Sequence, residues 1–279
     1  MARGGIACGN WRARRTLNKE LMMSIATLDR TALETKVKSM YSDVAANPHG
    51  AFHFEMGRAI AERLGYAPTD LDRVPQEAID SFAGVGHFFD LASLQPGDEV
   101  VDLGSGSGMD SVIAALRVGS TGHVVGVDMT DAQLAKAERV AHNGGIQNVT
   151  YRKAYIEGTG LPAESFDCVI SNGVINLAAD KARVFQEAAR LLKRGGRLAI
   201  ADIVTELPLP ENVVCNADLW AACIGGAAQR DDYGLAIESA GLHIERVQEN
   251  AEYRFISESA QQATAKWGVK SVSILARKR

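Results

Sequence analysis

The segment Glu99–Gly108, EVVDLGSGSG, limits what this chain can fold into more than any other stretch. A short apolar run ends in a carboxylate and leads straight into three alternate glycines, Gly104, Gly106 and Gly108. The run reads as a buried strand, and the glycines let the main chain turn sharply and approach a ligand with no Cβ in the way. No Lys-Ser/Thr pair follows the last glycine, which excludes a phosphate-gripping P-loop. The GxGxG spacing also departs from GxGxxG, which presents a dinucleotide's pyrophosphate to a helix N-terminus.

The elements around this segment alternate. Strands are expected at Glu99–Leu103, His123–Asp128, Phe166–Ser171 and Arg197–Ile203. Helices are expected over Ser107–Val118, from the capping box Thr130-Asp131-Ala132-Gln133, and after Asp180, the last one ended by Gly195-Gly196. That rhythm predicts an α/β, Rossmann-like fold of parallel strands with right-handed crossovers. A helix near Asp232–Ala240 and an antiparallel edge pair, His243–Arg254 with Val269–Arg277, complete it.

Upstream, Thr31–Val44 and Glu55–Leu64 read as helices, the second capped by Gly65, and Ser81–Gly86 as a loop of small residues. We therefore expect a helical lid over 31–96 and a ligand-binding domain over 97–279, with 207–279 forming the acceptor side and the terminal strand pair. Residues 1–30 are expected to be a disordered leader. The first 23 are rich in Arg with no acid before Glu20, and Met22 or Met23 is an alternative start.

Two carboxylates define the expected site. Asp102 stands where dinucleotide sites keep an apolar residue, and suits a ligand with an ammonium group, such as the methionine end of S-adenosylmethionine. Asp128 ends the second strand, where a carboxylate accepts both ribose hydroxyls. Gly104, Ser105, Gly106 and Met129 are the expected neighbours of the same cofactor. A net charge of -4 lacks the footprint of a nucleic-acid binder. No apolar run is long enough to span a bilayer. The four cysteines form no CxxC pair, so no metal site or disulfide framework is expected, and a reducing cytoplasm is the expected compartment. Nothing in the sequence sets an oligomeric state.

VVDLGSGSGMD, GVDMT, ISNGVINLAADK and LLKRGGRLAIADIV together resemble the class I S-adenosylmethionine-dependent methyltransferases, and specifically the arsenite methyltransferase family, from about Lys36 to Ala240. The resemblance implies a seven-stranded sheet whose last strand is antiparallel. It also implies that Ile156-Glu157 lies against the adenine and Asn172 near the methyl end of the cofactor.

The resemblance further implies thiolates that hold trivalent arsenic, a soft centre that prefers sulfur. Here the sequence departs from the family. The cysteine of SN-C-VINL is Gly173, and HGAFHFEMG and SFAGVGHFF carry no cysteine. Only Cys223 falls on a family arsenic-binding position. Cys215 lies eight residues earlier, about 12 Å away if the segment is helical. Cys168 sits in a strand, and Cys8 in the leader. Two acceptors stay open: an arsenical anchored by Cys223 alone, or an organic molecule methylated at oxygen, nitrogen, carbon or sulfur. For the second, His49, His53 and His87 are candidate bases, and Asp202 can orient the acceptor or cap a loop. Phe52, Phe54, Phe88, Phe89, Trp220 and Tyr233 are candidates for a pocket wall or for lid core. Tyr41 covers the cofactor if the first helix folds across the sheet. The rival readings are a nicotinamide-dependent oxidoreductase, which lacks its GxGxxG here, and a non-catalytic cofactor-binding module.

Overall fold

The computed structural model describes residues 30–214 and 224–279. Five helices precede the sheet: α1 (Arg30–Ala46), α2 (Arg58–Leu64), α3 (Pro68–Leu71), α4 (Gln76–Asp80) and α5 (Phe89–Ala92). Then come β1 (Glu99–Leu103), α6 (Met109–Val118), β2 (His123–Asp128), α7 (Asp131–Asn143), β3 (Val149–Lys153), β4 (Phe166–Asn172), α8 (Lys181–Leu191) and β5 (Leu192–Thr205). The chain closes with α9 (Glu211–Val214), β6 (Ala228–Gln229), α10 (Arg230–Ser239), β7 (Leu242–Glu249), α11 (Glu258–Trp267) and β8 (Lys270–Lys278).

The sheet runs β3-β2-β1-β4-β5-β8-β7, with the short β6 paired to β5. Strands β1 to β5 are parallel, and β8 runs antiparallel between β5 and β7. This is the expected mostly parallel, Rossmann-like sheet with one reversed strand. Successive residues in each strand point to opposite faces. Val100, Val124, Ile170 and Ala199 join the lid side with α6 and α7, while Val101, Val169, Leu198 and Ile200 join α8 and α10. Both faces are covered, as parallel strands require.

Residues 30–96 share the first of these cores. Ile60, Leu71, Phe88 and Phe89 are each at most 2% exposed and pack with strand residues in one apolar cluster. Each fully buried side chain of that size contributes about 1.5–3 kcal/mol, so the lid is built onto the sheet. Lys136 of α7 reinforces the joint: its Nζ donates to Ser81 Oγ at 2.7 Å and to the Ala45 carbonyl at 3.1 Å. Lys136→Ala strips that carbonyl of its donor, and should cost about 1–3 kcal/mol of stability in urea unfolding.

Several boundaries differ from the sequence reading. α2 begins at Arg58 because Gly57 adopts φ 87°, which breaks the helix before it. α8 stops at Leu191, and Gly195-Gly196 lie inside β5, where its register with β4 shifts between Phe166 and Cys168. The capping box at Thr130 does not form: the Thr130 side chain caps no helical N–H. Gln133 instead donates from Nε2 to the Tyr41 carbonyl at 2.8 Å and accepts from Ser107 Oγ, tying α1 to the glycine loop. The Asp180 cap does form, its Oδ1 accepting from the Arg183 N–H at 3.0 Å. β7 ends at Glu249, and α11 fills part of the stretch between the two terminal strands.

Candidate functional site

A cleft of about 560 Å³ opens over the C-terminal ends of β1, β2 and β4, with Leu33, Val37 and Tyr41 of α1 along one side. Strand order reverses between β1 and β4, and open α/β sheets bind ligands at such a switch point. The volume falls in the range of small-molecule sites.

The three glycines serve different ends. All have positive φ, at 76°, 53° and 90°. A Cβ on Gly104 would stand 2.4 Å from Val174 Cγ2, and one on Gly108 2.3 Å from Tyr151 Oη. Those two are bare because the protein itself fills the space. A Cβ on Gly106 would meet nothing nearer than Gln133 Oε1 at 3.9 Å, so this residue is bare toward open space in the cleft. The Gly104 and Ser105 N–H groups donate to the Val127 carbonyl at 2.7 and 3.0 Å, which pins the turn to β2.

Asp128 ends β2 with Oδ2 accepting from the Gly106 N–H at 3.0 Å and Oδ1 from the Thr130 N–H at 2.8 Å, and it is bonded further by the Thr130 side chain and the Met129 N–H. The carboxylate lines the cleft beside the glycine turn. Burial raises its pKa, and the bonds from Thr130 and Gly106 oppose that rise. Asp102 is 2% exposed beneath the loop and accepts from Ser111 Oγ at 2.6 Å. Burial first, and then the neighbouring Asp110, push its pKa up to about 8. Ser105 Oγ, also at the cleft, is buried with no partner in the protein. Met129, Ile156 and Glu157 line the far end, and burial raises the Glu157 pKa.

A network that the sequence did not disclose stands at the other end. Tyr66, in the lid, donates to Asp110 Oδ1 at 2.7 Å. Asn172 Nδ2 reaches Asp110 Oδ2 at 3.0 Å and the Gly86 carbonyl at 3.0 Å, while Asn172 Oδ1 accepts from the Val85 N–H at 2.8 Å. Asn172 therefore lines the cleft as a clamp on the lid loop. Burial raises the Asp110 pKa to about 6 against the bonds from Tyr66 and Asn172. The available signal was Asp110 itself, a charged residue two positions after the last glycine. Tyr41 lies along the cleft as the sequence suggested, stacked on Phe54 at 6.2 Å. Beyond it, Glu34 and Lys38 of α1 both bond the Tyr155 hydroxyl, Lys38 at 2.8 Å, and so bridge α1 to the loop after β3.

The candidate acceptor residues are not gathered here. His53 and His49 are exposed and outside the cleft lining. His87 packs edge-on against Tyr66 at 4.8 Å, and burial lowers its pKa. Asp202 is 1% exposed and lies away from the cleft lining. It is occupied by the Tyr233 hydroxyl at 2.7 Å and the N–H groups of Asn176 and Ile203 at 2.9 and 2.7 Å, so it acts as a buried anchor. Phe88, Phe89 and Tyr233 are core residues. Cys168 is fully buried in β4, its thiol pushed up to about 12 by burial. Cys223, Cys215, Trp220 and Cys8 lie outside the described residues.

The charge of the cleft is one-sided. Among the described residues its lining includes the carboxylates of Glu34, Asp102, Asp110, Asp128, Glu157 and Asp180, and one guanidinium, that of Arg183. Such a field attracts a cation and repels a pyrophosphate. No helix among the described residues is long and apolar enough to cross a membrane.

Known proteins agree with this geometry. A family model described as a methyltransferase domain matches residues 94–257. An arsenite methyltransferase from Halobacterium salinarum is 41% identical over 200 residues, which is 71% of this chain and 51% of that relative. The chain thus spans about half the length of the curated relatives it matches. An arsenic (III) S-adenosylmethionine methyltransferase from Chlamydomonas reinhardtii superposes with a TM-score of 0.60 at 33% identity, covering 80% of this chain and 74% of that one. Geranyl diphosphate C-methyltransferase from Streptomyces coelicolor shares the fold, with a TM-score of 0.65 at 18% identity over 90% of this chain and 99% of that one. The fold is that of the class I S-adenosylmethionine-dependent methyltransferases, and the chain belongs to the methyltransferase-domain family.

Proposed function

We propose that the chain binds S-adenosylmethionine in this cleft and transfers its methyl group to a small-molecule acceptor, as an arsenite methyltransferase-like enzyme. The observation that carries the reading is the pairing of a glycine turn, bare at Gly106, with a cleft whose charged side chains among the described residues are carboxylates but for Arg183. A sulfonium with an ammonium group is a cation that such a cleft favours, whereas a nicotinamide dinucleotide brings two phosphate charges into the same field.

The roles follow from position. Asp128 accepts the ribose hydroxyls, Ile156 and Met129 offer an apolar surface to the adenine, and Glu157 faces its polar edge. Asp110 supplies negative charge at the glycine-loop end, and Asp102 adds to it once a bound cation draws off its proton. α1 and the Ser81–Gly86 loop exclude water, and the Asn172 clamp holds that loop in place. Methyl transfer from a sulfonium needs in-line approach above all, so a rigid, dry cleft supplies much of what the step requires. Titration calorimetry with S-adenosylmethionine and with NAD tests this. The expected result is heat from the first and none from the second, and silence toward S-adenosylmethionine would end the reading.

The raised pKa of Asp102 gives the same experiment a pH signature. In the free protein this acid is neutral below about 8. A bound cation favours its ionised form, so binding releases a proton wherever the free acid is protonated, and affinity rises with pH up to that point. Between pH 6 and 8, affinity should climb by up to tenfold per unit, the limit for one proton. Calorimetry in buffers of different ionisation enthalpy should register the release, and Asp102→Asn should abolish it.

A further inference from the structure

The turn between β4 and α8, residues 173–178, supports the glycine loop by direct contact. Gly173, Val174, Leu177 and Ala178 of this turn line the cleft. The Val174 isopropyl group fills the space that a side chain on Gly104 would take, its Cγ2 standing 2.4 Å from a Cβ built there. Bonds inside the turn, from the Leu177 N–H to the Val174 carbonyl at 2.9 Å and from the Ala178 N–H to the Ile175 carbonyl at 3.1 Å, set its shape but not its place. Its place is set from outside the cleft. The Gly173 N–H donates to the Ala201 carbonyl of β5 at 2.8 Å, and the Asn176 N–H donates to Asp202 Oδ2 at 2.9 Å. At the far end Lys181 Nζ donates to the Ala178 carbonyl at 2.9 Å. Asp202 is fixed in turn by the Tyr233 hydroxyl on Oδ2 and the Ile203 N–H on Oδ1, both at 2.7 Å. The two charged groups also act on each other. Burial raises the Asp202 pKa, opposed by the Tyr233 bond and the Lys181 charge; burial lowers that of Lys181, opposed first by Asp202 and then by Glu157. Neither side chain lines the cleft. Buried charges stabilise little compared with apolar groups of the same shape, so what this pair contributes lies in where it holds the chain.

We propose that Asp202 and Lys181 are positioning residues, which fix the 173–178 turn from outside the cleft and, through the contact of Val174 with Gly104, set the glycine loop for S-adenosylmethionine. The inference rests on the donor reading above and names residues that act behind the same site. The route is short. Asp202 holds Asn176, the tight turn carries that hold to Val174, and Val174 abuts Gly104, whose N–H is pinned on its other side to the Val127 carbonyl. Ser105 and Gly106 follow at once in the chain. A turn released from Asp202 or Lys181 withdraws from Gly104 and leaves the loop free to follow it. The Gly106 N–H, held to Asp128 Oδ2 at 3.0 Å, then shifts against the carboxylate that the ribose is to meet. Displacements of about 1 Å are enough to matter in a preorganised site.

The test uses the full chain and S-adenosylmethionine itself. Asp202→Asn keeps the shape of the side chain but offers one acceptor oxygen where two are used, and Lys181→Met keeps the stem but removes the donor. Phe185→Leu is the control: Phe185 is fully buried and packs edge-on against the Tyr233 ring at 5.1 Å, but its side chain makes no hydrogen bond to the turn. Calorimetry reads donor affinity, and proton–nitrogen correlation spectra of the ligand-free proteins read the Gly104 and Gly106 amides. Asp202→Asn and Lys181→Met should each weaken the donor about tenfold, about 1.4 kcal/mol in binding free energy, and move both glycine resonances. Phe185→Leu should lower the thermal midpoint and leave affinity and resonances as in wild type. Wild-type affinity and resonances in the first two variants, or the same losses in all three, would overturn the proposal. Absence of donor binding by the wild type overturns the donor reading instead, and the glycine resonances still decide whether the loop is positioned from Asp202. Should Asp202→Asn precipitate, Tyr233→Phe, which removes one donor from the same carboxylate, is judged by the same two readouts.

Discussion

Asp128→Ala is expected to weaken S-adenosylmethionine binding about a hundredfold or more. Two charge-assisted hydrogen bonds to ribose hydroxyls contribute roughly 1.5–3 kcal/mol each, and every 1.4 kcal/mol is about a factor of ten. The loss is compounded because Oδ1 and Oδ2 also hold the Thr130 and Gly106 N–H groups, so the alanine frees the glycine turn that the ligand rests on. Asp128→Asn separates these effects. It retains one acceptor oxygen and no charge, and should fall between wild type and alanine. Calorimetric titration of the three proteins measures the series, and equal affinities would remove Asp128 from the site.

Gly104→Val is expected to fail at folding rather than at binding. Its first side-chain atom would already stand 2.4 Å from Val174 Cγ2, at φ 76°, in the packed ground between β1 and the turn after β4. Overpacking in a well-filled site costs typically about 1–3 kcal/mol, and a β-branched residue in left-handed backbone adds strain of about 1–3 kcal/mol. Together these are a large share of the 5–15 kcal/mol that holds an ordinary domain together. The expected outcome is a midpoint several degrees lower in thermal unfolding, or insoluble protein. Gly106→Ala is the contrast: a Cβ there meets no protein atom nearer than 3.9 Å, so this variant should fold and lose donor affinity. Equal stability in Gly104→Val and wild type would refute the packing account.

The contrast marks where the sequence was informative. Asp102, the glycines and Asp128 fall within one strand–turn–helix–strand passage, so their spacing alone brings them to one edge of the sheet. Tyr66, Asp110 and Asn172 meet from positions 44 and 62 residues apart, and no local pattern announces such a meeting. β3 escaped for another reason. It is an edge strand, Val149-Thr-Tyr-Arg-Lys153, in which only Val149 is buried, so its apolar signal is too thin to read as a strand. α11 has an Ala- and Gln-rich sequence, ESAQQATAKW, that anchors through Ala260 and Ala263, small residues that leave a faint periodicity. Gln133 was read as a local cap because capping boxes are local; the long side chain instead met a partner 92 residues away. Of the candidate acceptor residues, His53 is exposed and outside the cleft lining. Asp202, read as an acceptor-orienting group or a loop cap, takes the second part, accepting from the Asn176 and Ile203 N–H groups and the Tyr233 hydroxyl.

The bonded cluster of Tyr66, Asp110, Asn172 and the Val85 N–H ties four separate stretches of chain into one thermodynamic unit. Groups that share partners in this way do not contribute independently. Removing the Tyr66 hydroxyl leaves Asp110 with a single remaining side-chain donor. Losing Asn172 releases the loop and that carboxylate together. Double-mutant cycles among these positions should therefore return large interaction energies, while the same cycles run against the surface pair Arg139–Glu77 should return sums. Evolutionary change at this end of the molecule would then have to proceed by concerted replacement rather than one residue at a time.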